Sequence, residues 1–436
     1  MLESFYKIED MPKTRLFTFL ALLCTATILA QTHDLPYFLS QAQNNSAAIK
    51  ESANLVLLGD LQSRIIKAQN SGFLVNATSD VLLAPFFDSN GKAIEITTTP
   101  SANAYGYDAG ITNGGLYSAQ INITKNLFNR AATDNLLLQN QLLNNGIVLN
   151  SEDFKHNLIR NITASYIAVY QLQLQEDFIK KTLLDFENRL KVVELLVKKG
   201  ILWQSDYLLL QLDIENKNIE LQQVQNSFQT SINALQTMSG LANEPQNRVE
   251  IPLINKLVVS ELAFYEKKFK NDSLQVAANQ KVFENQYKPQ VSLNGNAGIN
   301  AVEITDMYRK VGANAGVRLS IPIYDGHQRK LNAEQNRLRT ENLTAYRLNS
   351  GLQRKNNLEE LNRQISENDK AILLLEKQEK KYVQILDIYK GKLVQGQVSI
   401  VDYLSLMQNY KMSVYTKLQA QTNHWLLQSQ LNYLQW

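Results

Sequence analysis

Cysteine is almost absent from this sequence: Cys24 stands alone among 436 residues, so no disulfide within the chain can hold the fold together. Proline is scarce as well. Its eight copies stand at 12, 36, 85, 100, 245, 252, 289 and 322, leaving 101–244 and 323–436 with none. Because proline costs roughly 3 kcal/mol inside a helix, both stretches are free to form very long helices. The 18 glycines are too few for a turn-rich β-sandwich of this length. The four histidines (33, 156, 327 and 424) are scattered, and there is no His-Glu-x-x-His, no paired metal spacing and no glycine-rich phosphate loop after a strand. Without a catalytic constellation the chain reads as a non-enzyme with no cofactor and no metal. Lys and Arg total 44 against 41 Asp and Glu, a net charge of +3 with no concentrated basic block, which argues against nucleic acid as a partner. Beyond residue 30 no apolar run reaches the about 20 residues of a membrane-spanning helix.

What is present begins with "MPKTRLFTFLALLCTATILAQ" at Met11. Lys13 and Arg15 precede an apolar run from Leu16 to Ala30, and Gln31 ends it, the pattern of a secretory signal peptide over residues 1–30. Glu3, Glu9 and Asp10 are unusual ahead of such a core, which makes Met11 a candidate start beside Met1. Cys24 follows Leu23, where a lipid-anchoring site wants a small residue, so it reads as apolar filler. Export is the expectation.

Helical spacing of apolar residues runs from Asn129 to Lys199 and again from Asp325 to Gln395, lengths of roughly 100 Å at about 1.5 Å per residue. Gly200 and Gly396 follow directly, where helices favour a left-handed terminating residue, and returning helices are expected over about 204–239 and 399–434. Four stretches instead alternate with period two: "FLVNATSDV" (73–81), "YSAQINIT" (117–124), "VSLNGNAGIN" (291–300) and "ANAGVRLSIPI" (313–323). Asn129 and Asp325 close the strand-to-helix phrases as candidate N-caps.

Matching features recur 196 residues apart: Gly200 and Gly396, Asp206 and Asp402, Asn129 and Asp325. The chain is therefore an internal duplication, with repeats at 31–247 and 248–436 joined near Pro245 and Pro252. Each repeat reads helix, strand, strand, long helix, turn, returning helix. About twenty additional residues between the first pair of strands suggest a solvent-exposed hairpin tip.

Four strands cannot close a barrel, and an apolar face with two open edges invites aggregation. Alternation of apolar with polar residues is the pattern of a transmembrane β-barrel, lipid outside and water inside. A lipid-facing Arg318 would cost about 2–4 kcal/mol at mid-membrane, so Gln120, Asn122, Asn314, Arg318 and Ser320 are expected to face a lumen. Two copies would give an eight-stranded barrel nearly filled by side chains; three would give twelve strands and an open bore.

The phrases "LSIPIYDGHQRKLNAEQ" (319–335), "KKGILWQSDYLLLQ" and "VQGQVSIVDYLSLM" resemble those of TolC-like outer-membrane factors of Gram-negative bacteria, over about residues 35–434. The resemblance implies a homotrimer in the outer-membrane lipid: a mixed α/β membrane protein with a twelve-stranded β-barrel, four strands per protomer, continued by a long periplasmic α-helical barrel. It implies an exit duct for a tripartite efflux pump or type I secretion system, fed by an inner-membrane pump through a periplasmic adaptor. Two readings stand for Asp206 and Asp402: a ring at the periplasmic pore constriction together with capping of the helices they begin, or capping alone. Family members can carry a second acid three residues later, where this chain has Leu209 and Ser405. Gly200 and Gly396, with Trp203 and Val398 beside them, would be the adaptor-docking turns on the same resemblance. Tyr207 and Tyr403 read as interhelix packing. The alternative is a periplasmic adaptor or a coiled-coil scaffold without a pore, which leaves the four alternating strands unexplained.

Overall fold

The structure is a computed structural model that describes residues 33–82, 85–97, 99–106, 117–244, 248–255, 264–301 and 304–436, with backbone alone at 304–306. The signal-peptide segment, Met11, Cys24 and Pro245 lie outside the described residues. The first repeat contains α1 (Leu35–Asn45), α2 (Ala47–Ser71), β1 (Leu74–Val81), β2 (Phe86–Ser89), β3 (Lys92–Glu95), β4 (Tyr105–Gly106), β5 (Tyr117–Leu127), α3 (Arg130–Lys198) and α4 (Gln204–Met238). The second contains α5 (Phe264–Asn285), β6 (Gln290–Ala301), a 3₁₀ turn (Ile304–Arg309), β7 (Val311–Ser320), α6 (Gln328–Val394) and α7 (Ile400–Gln435). Each half of the chain carries a helix before two long strands, then a helix of 69 or 67 residues and a returning helix.

The long strands form one antiparallel four-stranded sheet in the order β1-β5-β6-β7, with β1 and β7 as free edges. The segment expected as an exposed hairpin tip holds a second, three-stranded sheet in the order β3-β2-β4. Ser89 is fully buried there, and Glu95 accepts hydrogen bonds from Ser89 and Asn90. Side-chain hydrogen bonding across a short β-hairpin gives this loop a structure that period-two reading does not reveal.

The chain divides into two compact units, each drawing on both repeats: 1–49, 152–263 and 351–436 in one, 50–151 and 264–350 in the other. In the first, Phe38 of α1 packs with Ile162, Tyr166 and Val169 of α3 and Phe228, Ile232 and Leu235 of α4. Nearer the turns, Phe186 and Val193 pack with Leu210, Leu393, Ile400 and Tyr403. The second unit holds the four-stranded sheet, and amides join its helices. Asn140 of α3 donates to the Gly59 carbonyl (2.7 Å) and to Ser63 (2.8 Å) of α2, while Gln139 donates to Asn279 of α5 (2.8 Å). Asn140, Asn271 and Asn336 are buried. Buried polar groups must be paired, and here the abundant Asn and Gln pair with one another and with helix carbonyls. Among the described residues no helix is long and apolar enough to cross a membrane.

Candidate functional site

The register of the four-stranded sheet determines which side chains share a face, because directly opposed residues in an antiparallel pair point the same way. Asn76, Asn122, Asn296 and Asn314 oppose one another in a single row across all four strands. Gln120 stands between Thr78 and Gly298, Arg318 opposes Ser292 and then Asn126, and Ser320 opposes Gln290. All five residues expected to line a lumen therefore lie on one face. Hydrogen bonds tie that face together: Asn122 donates to Thr78 (2.9 Å), Thr124 to Asn294 (3.3 Å) and Ser118 to Asp80 (3.0 Å). Its charges are Asp80 and Arg318, eight rows apart, or about 26 Å at the usual strand rise. Arg318 makes no ion pair among the described residues.

The other face carries Val75, Ile121, Ile123, Ala297, Ala313, Val317 and Leu319. Val317 is 68% exposed, and Ile121, Ile123 and Leu319 are exposed too. Among the described residues nothing covers the polar or the apolar face, and the edges at β1 and β7 are unpaired.

At the strand-to-helix junctions the repeats differ. Asn129 immediately precedes α3, and its side-chain amide donates to the Asn70 carbonyl at 2.6 Å. Asp325 stands three residues before α6, with Gly326 and His327 both in left-handed conformations between them. Its carboxylate accepts from the backbone N–H of His327 (2.9 Å) and of Arg329 (2.8 Å), so it serves the helix start from one step further back. Those hydrogen bonds, the one from Arg329 foremost, hold its pKa below the ordinary aspartate value.

At the turns, Gly200 (φ 70°) and Gly396 (φ 68°) take the left-handed conformation that ends each long helix. Ile201 N–H bonds to the Leu196 carbonyl and Gly200 N–H to Val197, both at 2.9 Å; Gln397 to Lys392 (2.9 Å) and Gly396 to Leu393 (3.0 Å) repeat the pattern. This is the Schellman arrangement, which satisfies the last helical carbonyls. The turns touch: a Cβ on Gly396 would come within 2.7 Å of Ile201 Cγ2. Asp206 accepts from the Trp203 backbone N–H (2.9 Å) in the first turn of α4. At Asp402 the Ser399 hydroxyl donates to the carboxylate (2.7 Å) and accepts from the Asp402 N–H (3.1 Å). Each acid therefore has a capping role, and Asp402 is exposed as well. Trp203 is 79% exposed, and Val398 is half-buried.

Two partly buried polar clusters have no counterpart in the sequence reading. The hydroxyl of Tyr403, a fully buried residue, donates to Asp185 (2.6 Å), whose other oxygen meets Lys390 Nζ (2.9 Å) and Arg189 (3.8 Å). This links α3, α6 and α7. Burial, with the bond to Asp185 second, raises the Tyr403 pKa and keeps the phenol a donor. Between α4 and α7, Glu220 accepts from Lys411 (2.7 Å), Tyr415 (2.8 Å) and Lys217 (3.0 Å). The spacings Asp185–Arg189 and Lys217–Glu220, about one helical turn each, are the local signals; the other partners come from distant segments.

No protein-family description matches this sequence, and no curated protein matches it either. Solved structures do. VceC, an outer membrane protein of Vibrio cholerae, superposes with a TM-score of 0.70 at 14% identity, covering 92% of this chain and 95% of its own. CusC, whose structures describe transmembrane channel formation, gives a TM-score of 0.73 at 13% identity over 94% and 95%. The chain has the fold of outer-membrane channels. The open-state channel MtrE of Neisseria gonorrhoeae agrees, with a TM-score of 0.68 at 15% identity over 92% and 88%. Within this channel fold, the amphipathic sheet and the paired Schellman turns are the features that this chain's own residues build.

Proposed function

We propose that this chain is an outer-membrane channel, the passive exit duct of a tripartite efflux pump or type I secretion system. The observation that carries the reading is the four-stranded sheet: one face of Asn, Gln, Ser and Thr, an exposed apolar face, and two unpaired edges. Pairing β7 of one copy with β1 of the next removes both edges, and three copies close a twelve-stranded barrel wide enough for water. The apolar face then meets lipid, while Gln120, Asn122, Asn314, Arg318 and Ser320 line the bore. The long helices extend into the periplasm, where Gly200, Gly396, Trp203 and Val398 form the surface offered to a periplasmic adaptor. Asp206 and Asp402 cap their helices and line the periplasmic mouth; unchanged ion selectivity in Asp402→Asn would leave that acid with capping alone.

In this role the residues bind nothing permanently. The amide-rich bore exchanges hydrogen bonds with water and passing solutes, and the lipid face confines them to it. Membrane fractionation followed by planar-bilayer recording tests the reading. A detergent-extracted trimer that conducts supports it; a freely soluble monomer in the periplasm overturns it.

A further inference from the structure

The end of the sheet nearest the helices holds a surface cavity of about 450 Å³ where α2, β5 and α3 converge, lined by Lys67, Lys125, Phe128, Arg130 and Asp134. The hydrogen bond from Asn129 to the Asn70 carbonyl fixes the chain around it. Three cations face one carboxylate. The Arg130–Asp134 pair is long, at 4.0 Å, and both side chains are largely exposed, so it neutralises little.

Lys125 is the anomaly. It opposes Leu293 and so belongs to the apolar face of the sheet, where a cation is out of place unless its head reaches a polar layer. Its Nζ sits 4.4 Å from the ring centroid of Phe73, beside the cavity. Phe128 is 92% exposed and held at φ 54°, a conformation a phenylalanine rarely adopts. The equivalent position in the second repeat is Tyr324, 77% exposed. Exposed aromatics follow the last strand of both hairpins, Phe128 with Lys125 at the rim of the apolar face, and match the interfacial belt of a membrane.

We propose that this cavity binds the phosphate of an anionic phospholipid headgroup, with the acyl chains lying along the apolar face of the sheet. The proposal rests on the outer-membrane reading above. The excess of cations selects a phosphodiester without a compensating ammonium, such as phosphatidylglycerol, over phosphatidylcholine. Lys67 and Arg130 hold the phosphate, Lys125 reaches it from the lipid side, and Phe128 marks the depth.

The test uses the full-length protein, purified in detergent, stripped of lipid and examined by native mass spectrometry with phosphatidylglycerol or phosphatidylcholine. The expected result is at least a tenfold preference for phosphatidylglycerol. The triple variant Lys67→Gln, Lys125→Gln, Arg130→Gln should reduce it below twofold, and the charge-keeping Lys67→Arg, Lys125→Arg, Arg130→Lys should restore it. Equal retention of both lipids by the unmodified protein overturns the proposal. So does displacement of phosphatidylglycerol by millimolar inorganic phosphate, which would make the cavity a site for free anions. Bilayer recording on the same preparation separates the two readings. Conductance without lipid preference overturns the headgroup site alone, whereas preference without conductance supports the site and counts against the duct.

Discussion

Asp185→Asn is the most informative single change, because it keeps the shape of the side chain and removes the charge on which three helices converge. The Tyr403 hydroxyl and Lys390 lie 2.6 and 2.9 Å from its oxygens. The Lys390 and Asp185 side chains retain 25% and 23% of their exposure, so solvent screens the pair only in part. A hydrogen bond to a charged group contributes about 1.5–3 kcal/mol, against about 0.5–1.5 for a neutral acceptor, and Lys390 keeps only its longer pair with the exposed Asp387 at 4.0 Å. A loss of about 2–3 kcal/mol follows, which raises the local opening equilibrium about 30- to 150-fold. Amide hydrogen exchange reads this directly, with faster exchange expected in the segments around Asp185, Lys390 and Tyr403 and little change in the sheet. Acceleration of less than threefold would refute the reasoning. The pH dependence gives a second check. The Tyr403 pKa is raised on folding, so its contribution is complete below the unfolded value near pH 10 and is lost as pH rises beyond it. Tyr403→Phe should flatten that alkaline loss.

Three further outcomes are expected. Gly200→Ala should cost about 1 kcal/mol for the left-handed backbone, and Gly396→Ala more, because its new methyl meets Ile201 at 2.7 Å; Ile201→Ala should remove the excess in thermal unfolding. With Cys24 replaced by serine, cysteines at Asn122 and Arg318 should react with a water-soluble thiol reagent and cysteines at Ile121 and Val317 should not, in membranes; the reverse would mean an inverted sheet. Glu220→Gln should cost about 2 kcal/mol by removing the carboxylate that Lys217 and Lys411, whose side chains are 9% and 16% exposed, bond directly, which leaves Asp213 as the acid nearby. Burial pushes the Glu220 pKa up, but hydrogen bonds from Lys411, Tyr415 and Lys217 outweigh it and leave the pKa lowered. Its contribution is therefore present above the unfolded carboxylate value and lost as pH falls below about 4, and acid titration of thermal stability should show that loss vanish in the variant.

The candidate site was legible in part. Alternation in 117–124 and 313–323 assigns Gln120, Asn122, Asn314, Arg318 and Ser320 to one face, and the register agrees. Gly200 and Gly396 announced the helix ends, because a left-handed terminator is a local requirement. Tyr403 read as simple packing, yet its hydroxyl binds Asp185, 218 positions away. The start of α6 slipped past Asp325 because Gly326 and His327 can both turn left-handed, which a capping pattern does not register. The small sheet of β2, β3 and β4 was likewise missed, its strands being two to four residues long.

By itself the sequence determined the periodic things: four amphipathic strands, two long helical hairpins, and the glycines that end their first arms. Each is written within a few consecutive residues, where backbone geometry and side-chain period leave one choice. Only the tertiary structure decided the row of four asparagines, the convergence of Lys390, Arg189 and Tyr403 on Asp185, and the basic cavity beside Phe128. Those depend on which distant segments are brought side by side, and relative register between remote strands and helices leaves no trace in local spacing.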